Sequence, residues 1–493
     1  MGIVKRQGLA NSVWIYSGLI LGYVNVGLLM AKILSTQNFG LRGVIFQAGS
    51  FFAVLALVGL ANIVNRFFPT LKDEQKSHHG IIGFILTYWL GGTIIMGLIL
   101  WLFKSHVIAY YSDKSELLIE FFPYILPFGA TLALFEGLSA YSRALMKTTV
   151  PIFIREFAIR IYNLILLLFL YYKKLDFVPF LQAYLGGYGL ALIILIIYLI
   201  KIGEWRMKFS HFFAWTSRFG EMIRFGFYTW FNNSMRMIVK TADILMLGVI
   251  DLKYAAVYGI GSMIGNIIQV PSQSLRQIGA PLIASYFKED KLGEIRKLYR
   301  KTCMLQLIAG LFIYLLVVLN LDPLFMIWRS EFAEGKIVIV LLGAARLLAG
   351  STGMNGRIIT ESAYFKSNFI FNLILGITVI TSNWILIPMY QIKGAAIASA
   401  FSIVLVSGLR VAFVYYKFGW QPFSRRSLFA AVIALGMFAI VYSIPTLPWV
   451  LVDVAIKSLL FCLPFVFILA KLRLSPEFNG LLMDLRKKIL RKG

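Results

Sequence analysis

The sequence predicts an all-helical protein that crosses a membrane many times. Its 493 residues are 59% hydrophobic and only 14% charged, and the mean hydropathy is +0.79. A soluble domain cannot bury this much apolar surface, whereas a bilayer can. Since about 20 helical residues cross the hydrocarbon, six uncharged runs are long enough to span it. They are 7–31, 81–103, 177–200, 302–321, 367–392 and 427–452.

Other segments reach spanning length only when they include one or two charged residues, and we predict about fourteen spans in all. The first follows Lys5 and Arg6 and is too long for the apolar core of a signal peptide, so we expect an uncleaved span. The predicted spans are 11–33, 41–66, 81–103, 118–142, 151–172, 177–200, 225–250, 255–283, 302–320, 336–359, 367–388, 393–416, 427–444 and 449–470.

Basic residues in the loops predict the orientation. With the N-terminus in the cytoplasm, the inner connections hold 29 Lys and Arg, the outer connections hold 8, and the remaining 11 of the 48 lie within spans. Because cytoplasmic loops of membrane proteins are enriched in Lys and Arg, we expect both termini in the cytoplasm. The basic residues are spread over many loops, which argues against a nucleic-acid partner.

Two neighbouring spans carry polar stripes, since their polar residues recur at steps of three and four and so share a helix face. A charge at bilayer depth is costly and normally faces a water-filled cavity or a partner. We therefore predict a wet, positive cavity that binds something anionic. Pro271 and Pro281 are expected to bend the second of these helices. The stripes are Thr229, Asn232, Asn233, Arg236, Lys240 and Asp243, and then Ser262, Asn266, Gln269, Gln273 and Arg276.

Other embedded charges have both a functional and a structural interpretation. Arg155 and Arg160 are candidates for substrate binding, but Glu156 and Arg160 are also spaced to pair at i,i+4. Glu136 is a candidate proton site or a partner of Arg143.

The remaining charged residues of the spans are assigned from their depth. Arg346 is a further substrate candidate, while Arg357 on the same face lies closer to the inner interface. Lys32 and Arg42 flank the first outer turn, so we expect them at the membrane interface. Pairing with one another, or contact with lipid headgroups, is expected for Arg410, Lys457 and Asp453.

The sequence offers little chemistry for an enzyme or a metal site. Cys303 and Cys462 lie in or beside apolar spans, and the adjacent His78 and His79 are expected in a solvated loop without further ligands. A phosphate loop and the common hydrolase motifs do not occur in the sequence. A membrane polymerase or acyltransferase would need a large outer loop or an embedded histidine. We therefore expect transport, with no cofactor.

An internal repeat predicts two similar halves. Phe39-Gly40 opens the second span, Tyr258-Gly259 opens a similar span later, and each span is followed by a charged run, 72–76 or 288–291. Many transporters are built from such repeats, with the binding site between them. The predicted segments are a six-helix lobe at 1–200, an amphipathic linker at 201–224, a second six-helix lobe at 225–416, two further spans at 417–470 and a basic cytoplasmic tail at 471–493.

At these residues the sequence resembles the Wzx-type polysaccharide flippases of the multidrug/oligosaccharidyl-lipid/polysaccharide (MOP) exporter superfamily, and the resemblance covers nearly the whole chain. It implies two lobes that rock to move an undecaprenyl-pyrophosphate-linked oligosaccharide from the cytoplasmic to the periplasmic leaflet of a bacterial inner membrane. Membrane lipids, a glycan polymerase and glycosyltransferases are the implied partners. The matching motifs are Asn38-Phe39-Gly40, Gly59-Leu60, Asn65-Arg66-Phe67, Tyr258-Gly259 through Pro271 and Pro281, and the small-residue run 393–398.

The residues themselves favour an anionic lipid-linked sugar, because Arg binds a pyrophosphate with two parallel hydrogen bonds and keeps its charge. A lipid II flippase and a multidrug or organic-ion exporter of the same fold stay as alternatives, although the exporter of organic cations predicts an acidic cavity. No nucleotide site is present, so we expect a proton or sodium gradient, or consumption of the product, to drive turnover. The coupling candidates are Asp243 first, then Glu156 and Glu136.

Overall fold

The computed structural model describes residues 2–73, 77–105, 116–206, 219–326, 328–445, 447–472 and 479–480. Every regular element in these ranges is a helix, which confirms the predicted fold class. The chain divides into two compact units, Met1–Ala256 (unit 1) and Val257–Gly493 (unit 2).

The described residues of unit 1 form ten helices, some interrupted by tighter or wider turns. The π-helical stretches Tyr23–Met30 and Ile154–Ala158 continue α1 and join α7 to α8. Short turns of helix lie at Ala31–Ile33, Ser77–Gly80 and Phe122–Tyr124. The helices are α1 (Gly2–Gly22), α2 (Thr36–Leu57), α3 (Leu60–Leu71), α4 (Ile81–Leu102), α5 (Glu116–Phe121), α6 (Ile125–Ala144), α7 (Thr149–Phe153), α8 (Ile159–Tyr171), α9 (Phe177–Lys201) and α10 (Phe219–Ile250).

The predicted span 41–66 is not one continuous helix, because it breaks at Val58 and Gly59, whose φ angles are 40° and 78°. A side chain at position 59 would place its Cβ 2.2 Å from the carbonyl oxygen of Gly226 on α10, so only glycine fits. The break frees backbone carbonyls, and two side chains bind them. Tyr88 donates to Val58 O at 3.0 Å, and the Trp230 indole donates to Leu55 O at 3.2 Å.

Unit 2 begins within α11 (Leu252–Ile267), which crosses the boundary. The polar eighth span is interrupted just before Pro271, as predicted, because α11 ends at Ile267 and α12 starts at Val270. A short helical turn lies at Ser330–Gly335. The remaining helices are α12 (Val270–Lys288), α13 (Leu292–Leu319), α14 (Leu321–Met326), α15 (Lys336–Ser351), α16 (Asn355–Glu361), α17 (Phe365–Phe418), α18 (Arg425–Tyr442) and α19 (Val450–Lys471).

The two C-terminal helices pack against α13 inside unit 2. Phe312 of α13 stacks on Phe461 and Phe465 of α19, with ring centroids 6.2 and 5.8 Å apart. Buried Ala430 and Ala434 bring α18 into the same apolar cluster. The segment 417–470 thus forms the two predicted helices and contributes to the core of this unit.

Within the described residues, nine helices are long and apolar enough to cross a membrane, or ten if the bent pair formed by Ser330–Ser351 and Asn355–Glu361 is one span. The long helix α17 contains two predicted spans, divided at Gln391, where φ is 50°. Helices also occupy the predicted spans 151–172, 225–250 and 255–283, but they do not meet these limits of length and composition. A helix therefore lies at each of the fourteen predicted positions, and these three carry most of the predicted site residues.

Helix α10 packs within unit 1, whereas the sequence repeat assigns it to the second lobe. Gly248 lies against Val44, and Trp230 bonds to α2 as described above. Linker residues 207–218 and most of the predicted tail lie outside the described ranges. The five-segment division follows sequence similarity and not packing, so it stays a prediction.

Candidate functional site

A chain of ion pairs links α6 to α8 inside unit 1. Arg155 Nη1 lies 2.6 Å from Glu136 Oε1, and Arg155 Nε lies 3.1 Å from Glu156 Oε1. The other Glu156 oxygen lies 2.9 Å from Arg160 Nη2, which is the predicted i,i+4 pair. Arg155 therefore forms the ion pair with Glu136, while the predicted partner Arg143 is near enough for its charge to interact with Glu136. The four charges balance, and the Arg155 side chain stays 47% exposed.

Two π-helical stretches, which the sequence patterns did not predict, adjoin the chain of ion pairs, and the second stretch contains Arg155 and Glu156. Asn25, in the first stretch, donates to the Arg160 carbonyl oxygen at 2.7 Å. A Cβ at Gly18 would lie 2.0 Å from Glu156 O, so the first helix can approach the ion pairs closely only because this residue is glycine. π-helical turns are frequent at functional sites. The sequence features that could have indicated this contact between the first helix and the ion pairs are two glycines and a polar residue in an apolar span. They are Gly18, Gly22 and Asn25.

The α10 stripe presents three of its predicted site residues on the surface of the chain. Asn233, Arg236 and Lys240 are exposed, whereas Asn232 is half-buried and donates to the Tyr228 carbonyl oxygen at 3.1 Å. Lys240 and Arg155 are near enough for their charges to interact. Arg236 and Lys240 are therefore accessible cations on a helix that also packs near the chain of ion pairs.

Asp243 lies on the same stripe but is only 5% exposed. It sits where α10 enters the packed end of unit 1, beside buried Thr241 and one turn before Leu247. A buried acid on a cationic stripe suits either a static partner or a group whose occupancy changes with conformation.

In unit 2, Asn266 and Gln273 are exposed, while Gln269 and Arg276 are half-buried around the break before Pro271. Arg276 is close enough to Arg357 for the two charges to interact. The two polar stripes thus belong to different compact units, and their predicted meeting in one cavity stays a prediction.

Arg346 has a structural setting. It is 9% exposed and donates from Nη1 to the Ser262 carbonyl oxygen at 2.7 Å and from Nη2 to Ser262 Oγ at 3.0 Å. These bonds join α15 to α11 within unit 2. Arg346 therefore fixes the position of the polar eighth span, which is a role beside the predicted substrate contact.

Arg42, which was expected at the membrane interface, is only 8% exposed and packs inside unit 1. Its Nη2 donates to the Tyr184 hydroxyl at 2.9 Å, and its guanidinium lies over the rings of Phe39, Phe46 and Tyr184. The periodic pattern missed this residue because its partner is 142 positions away in sequence.

Two other charge clusters are structural. Asp453 and Lys457 form the expected pair at 3.1 Å with both side chains under a tenth exposed, and Arg410 donates to Asn372 instead. The expectation of a solvated His78 is wrong, because its ring is 4% exposed and its Nε2 lies 3.0 Å from Glu204 Oε2.

No model of a known protein family matches the sequence. A capsular polysaccharide biosynthesis protein of Staphylococcus aureus, CapF, is 26% identical over 139 residues, which are 28% of this chain and 35% of that protein. The match therefore spans about a third of the length of this curated relative.

Two solved structures resemble nearly the whole fold. The lipid II flippase MurJ in an inward-closed conformation has a TM-score of 0.73 at 15% identity, over 94% of this chain and 99% of that one. An inward-facing multidrug resistance MATE transporter has a TM-score of 0.63 at 11% identity, over 81% and 94%. The chain therefore shares the fold of the lipid II flippase and of the multidrug transporter, as its sequence resemblance implied.

Proposed function

We propose that this protein is a flippase for an undecaprenyl-pyrophosphate-linked oligosaccharide. The observation that carries the proposal is the combination of a flippase-like fold over 94% of the chain with cationic side chains in its polar spans. The partial similarity to a capsular polysaccharide biosynthesis protein supports a surface polysaccharide repeat unit as the cargo.

The chemistry of such a substrate matches the accessible residues. A pyrophosphate carries several acceptor oxygens, which the exposed Arg236 and Lys240 can bind. Arg155 is oriented by two carboxylates while half of it stays accessible, so an arriving phosphate would meet a preformed cation. Asn and Gln side chains on the two polar stripes offer hydrogen bonds to the glycan, and the polyprenyl tail can stay in lipid.

The proposed direction follows from the basic loops. We place the chain in the bacterial inner membrane with both termini in the cytoplasm, so that cargo made by cytoplasmic glycosyltransferases is delivered outside to a polymerase. Alternating access of two lobes would carry the headgroup across.

Two rival functions share the fold. A lipid II flippase would carry the same diphosphate on a different glycan, and the similarity to MurJ favours it as the second candidate. An exporter of organic cations is disfavoured, because Arg236, Lys240 and Arg276 would repel its cargo.

The energy source is proposed to be an ion gradient acting on an embedded acid. Asp243 is the first candidate because it is buried on the helix stripe that also carries Arg236 and Lys240, and Glu156 and Glu136 are the others. A coupling role predicts that Asp243→Asn protein still binds the lipid-linked sugar but no longer responds to a proton or sodium gradient in proteoliposomes. A static role predicts reduced stability with the gradient response intact.

The proposed function is tested in cells that lack the native gene and depend on the protein for surface glycan. Arg236→Ala and Arg276→Ala should insert normally yet stop delivery of glycan to the outer leaflet. Each loses a charge-assisted bond of about 1.5–3 kcal/mol. Lysine at these positions should restore export only in part, because it lacks the planar guanidinium that makes two parallel hydrogen bonds. Arg426→Ala, an exposed cation at the start of α18, is the matched control. Wild-type export by both alanine variants would refute the cationic cavity.

A further inference from the structure

Arg42 is a buried cation near the end of unit 1 at which α2 begins. It lies six residues after Thr36, the first residue of α2, so at about 1.5 Å per residue it sits roughly 9 Å below that helix end. The orientation proposed above makes this the periplasmic end. The depth corresponds to the boundary between hydrocarbon and headgroups in the outer leaflet.

The guanidinium is held firmly but is not neutralised. Tyr184 accepts one hydrogen bond, and three aromatic rings surround the charge with centroids 4.9 to 5.9 Å from Cζ. Among the described residues, no carboxylate lies within ion-pair distance of Arg42, and its Nε is buried without a hydrogen-bond partner. A buried donor on a charged group is costly to leave unpaired.

The contacts that surround the guanidinium do not remove that cost. Aromatic faces attract a cation, but they do not supply an acceptor for the free Nε. The arrangement is therefore unfavourable until an anion with acceptor oxygens arrives.

The hydroxyl of Tyr188 extends the site inward. The Tyr188 ring packs against that of Tyr184, with centroids 6.1 Å apart, and Tyr188 lies within electrostatic range of both Arg42 and Arg160. Arg160 belongs to the chain of ion pairs, and its own Nη1 is buried without a partner. Tyr188 and Tyr184 therefore lie between Arg160, in the chain of ion pairs, and Arg42, near the start of α2.

We propose that Arg42, with Tyr184, forms a phosphate-binding site that holds the diphosphate of the lipid-linked substrate before release on the outer side. The inference rests on the proposed function for the identity of the lipid. The recognised chemistry is a phosphate ester at headgroup depth, which the substrate or a resident phospholipid can supply.

An alternative role for Arg42 is purely structural. In that role, which we call a pin, its contacts with Tyr184 hold α2 against α9. The two roles predict opposite effects of Arg42→Met, which keeps the length and apolar stem of the side chain. A phosphate site predicts an unliganded melting temperature that is unchanged or higher, because an unpaired buried charge is removed. A pin predicts a lower melting temperature, because the cation–π contacts and the Tyr184 bond are lost.

The experiment measures thermal unfolding and binding of the full-length protein in phosphatidylcholine nanodiscs, with farnesyl diphosphate as the probe. We expect the probe to stabilise the wild-type protein. We expect Arg42→Met to raise the Kd for farnesyl diphosphate on the order of tenfold or more. Arg42→Lys retains the charge but lacks the planar guanidinium, so it should raise the Kd and leave the melting temperature unchanged. If Arg42→Met cannot be purified, Arg42→Lys is used for the test instead. Lys32→Met removes an exposed cation at the same end and should leave the Kd near wild type.

A lower melting temperature with an unchanged Kd in Arg42→Met would overturn the inference and leave the proposed function standing. If wild-type protein itself binds no prenyl diphosphate, both fail. Stabilisation by phosphatidylglycerol alone, lost in Arg42→Met, would keep the phosphate site and assign it to a resident lipid.

Discussion

At the scale of single residues, the embedded charges of the described ranges fall into those that form ion pairs and those that are exposed. Glu156 holds both Arg155 and Arg160, whereas Arg236 and Lys240 are exposed on α10. Arginines held by carboxylates can orient a substrate, but they also stabilise the fold, so their substitution has two effects. Accessible cations give the cleaner functional test.

The first prediction concerns Glu156, whose replacement by Gln removes the shared partner of two arginines. We expect Glu156→Gln to lower the free energy of unfolding by about 1.5–3 kcal/mol, the range for a hydrogen bond to a charged group. Glu221→Gln, at an exposed position at the start of α10, is the matched control and should change it by less than about 0.5 kcal/mol. Thermal unfolding of the purified proteins measures both, and equal stability of the two variants would show that the ion pairs contribute nothing.

At the scale of helices, the broken second span distinguishes this fold from a simple bundle. Gly59→Ala would force a side chain into a left-handed backbone conformation and against Gly226. We expect a loss of at least about 1–2 kcal/mol from the backbone conformation alone. Gly91→Ala in α4 is the control, because no atom lies within 4 Å of its added Cβ.

The unfolding temperature of each glycine variant gives the answer. A Gly59→Ala protein as stable as Gly91→Ala would mean that the break at Val58 and Gly59 is not part of the folded state.

The same break can be tested by removing a side chain that binds one of its free carbonyls. Trp230→Phe loses the bond to Leu55 O and should cost about 0.5–1.5 kcal/mol.

The sequence predicted helix positions well and helix interruptions poorly, and the physical reason is visible in these elements. Apolar runs depend on local composition, so every predicted span has a helix. The break at Val58 and the π-helical stretch around Asn25 are held by Tyr88, Trp230 and the Arg160 carbonyl, which are distant in sequence. Only Pro271 marked its interruption locally, because proline removes a backbone donor.

The site shows the same limit. Helical spacing identified the α10 stripe and the Glu156–Arg160 pair, because both depend on residues three and four apart. It could not place Arg42 beside Tyr184 or Arg346 beside Ser262, since each pair joins separate helices. Depth in a span therefore predicts that a charge needs a partner, but not which one.

At the scale of the whole molecule, the orientation can be tested by labelling. After Cys303 and Cys462 are replaced by alanine, single cysteines at the exposed positions Lys72 and Asp290 should react with an impermeant maleimide only from the cytoplasmic side. Cysteines at Lys104 and Arg329, also exposed, should react from the periplasm. Labelling of the cysteines that replace Asp290 and Arg329 from the same side would contradict the proposed topology.

The central claim is that the protein moves a lipid whose headgroup is a diphosphate-linked glycan. The most direct measurement is flipping in proteoliposomes that contain a fluorescent polyprenyl-diphosphate oligosaccharide, a neutral polyprenyl glycoside with the same sugar, and an organic cation in separate samples. We predict rapid, protein-dependent exposure of the diphosphate lipid, strongly reduced by Arg236→Ala, and little movement of the other two. Equal flipping of the neutral glycoside, or transport of the cation alone, would contradict the account.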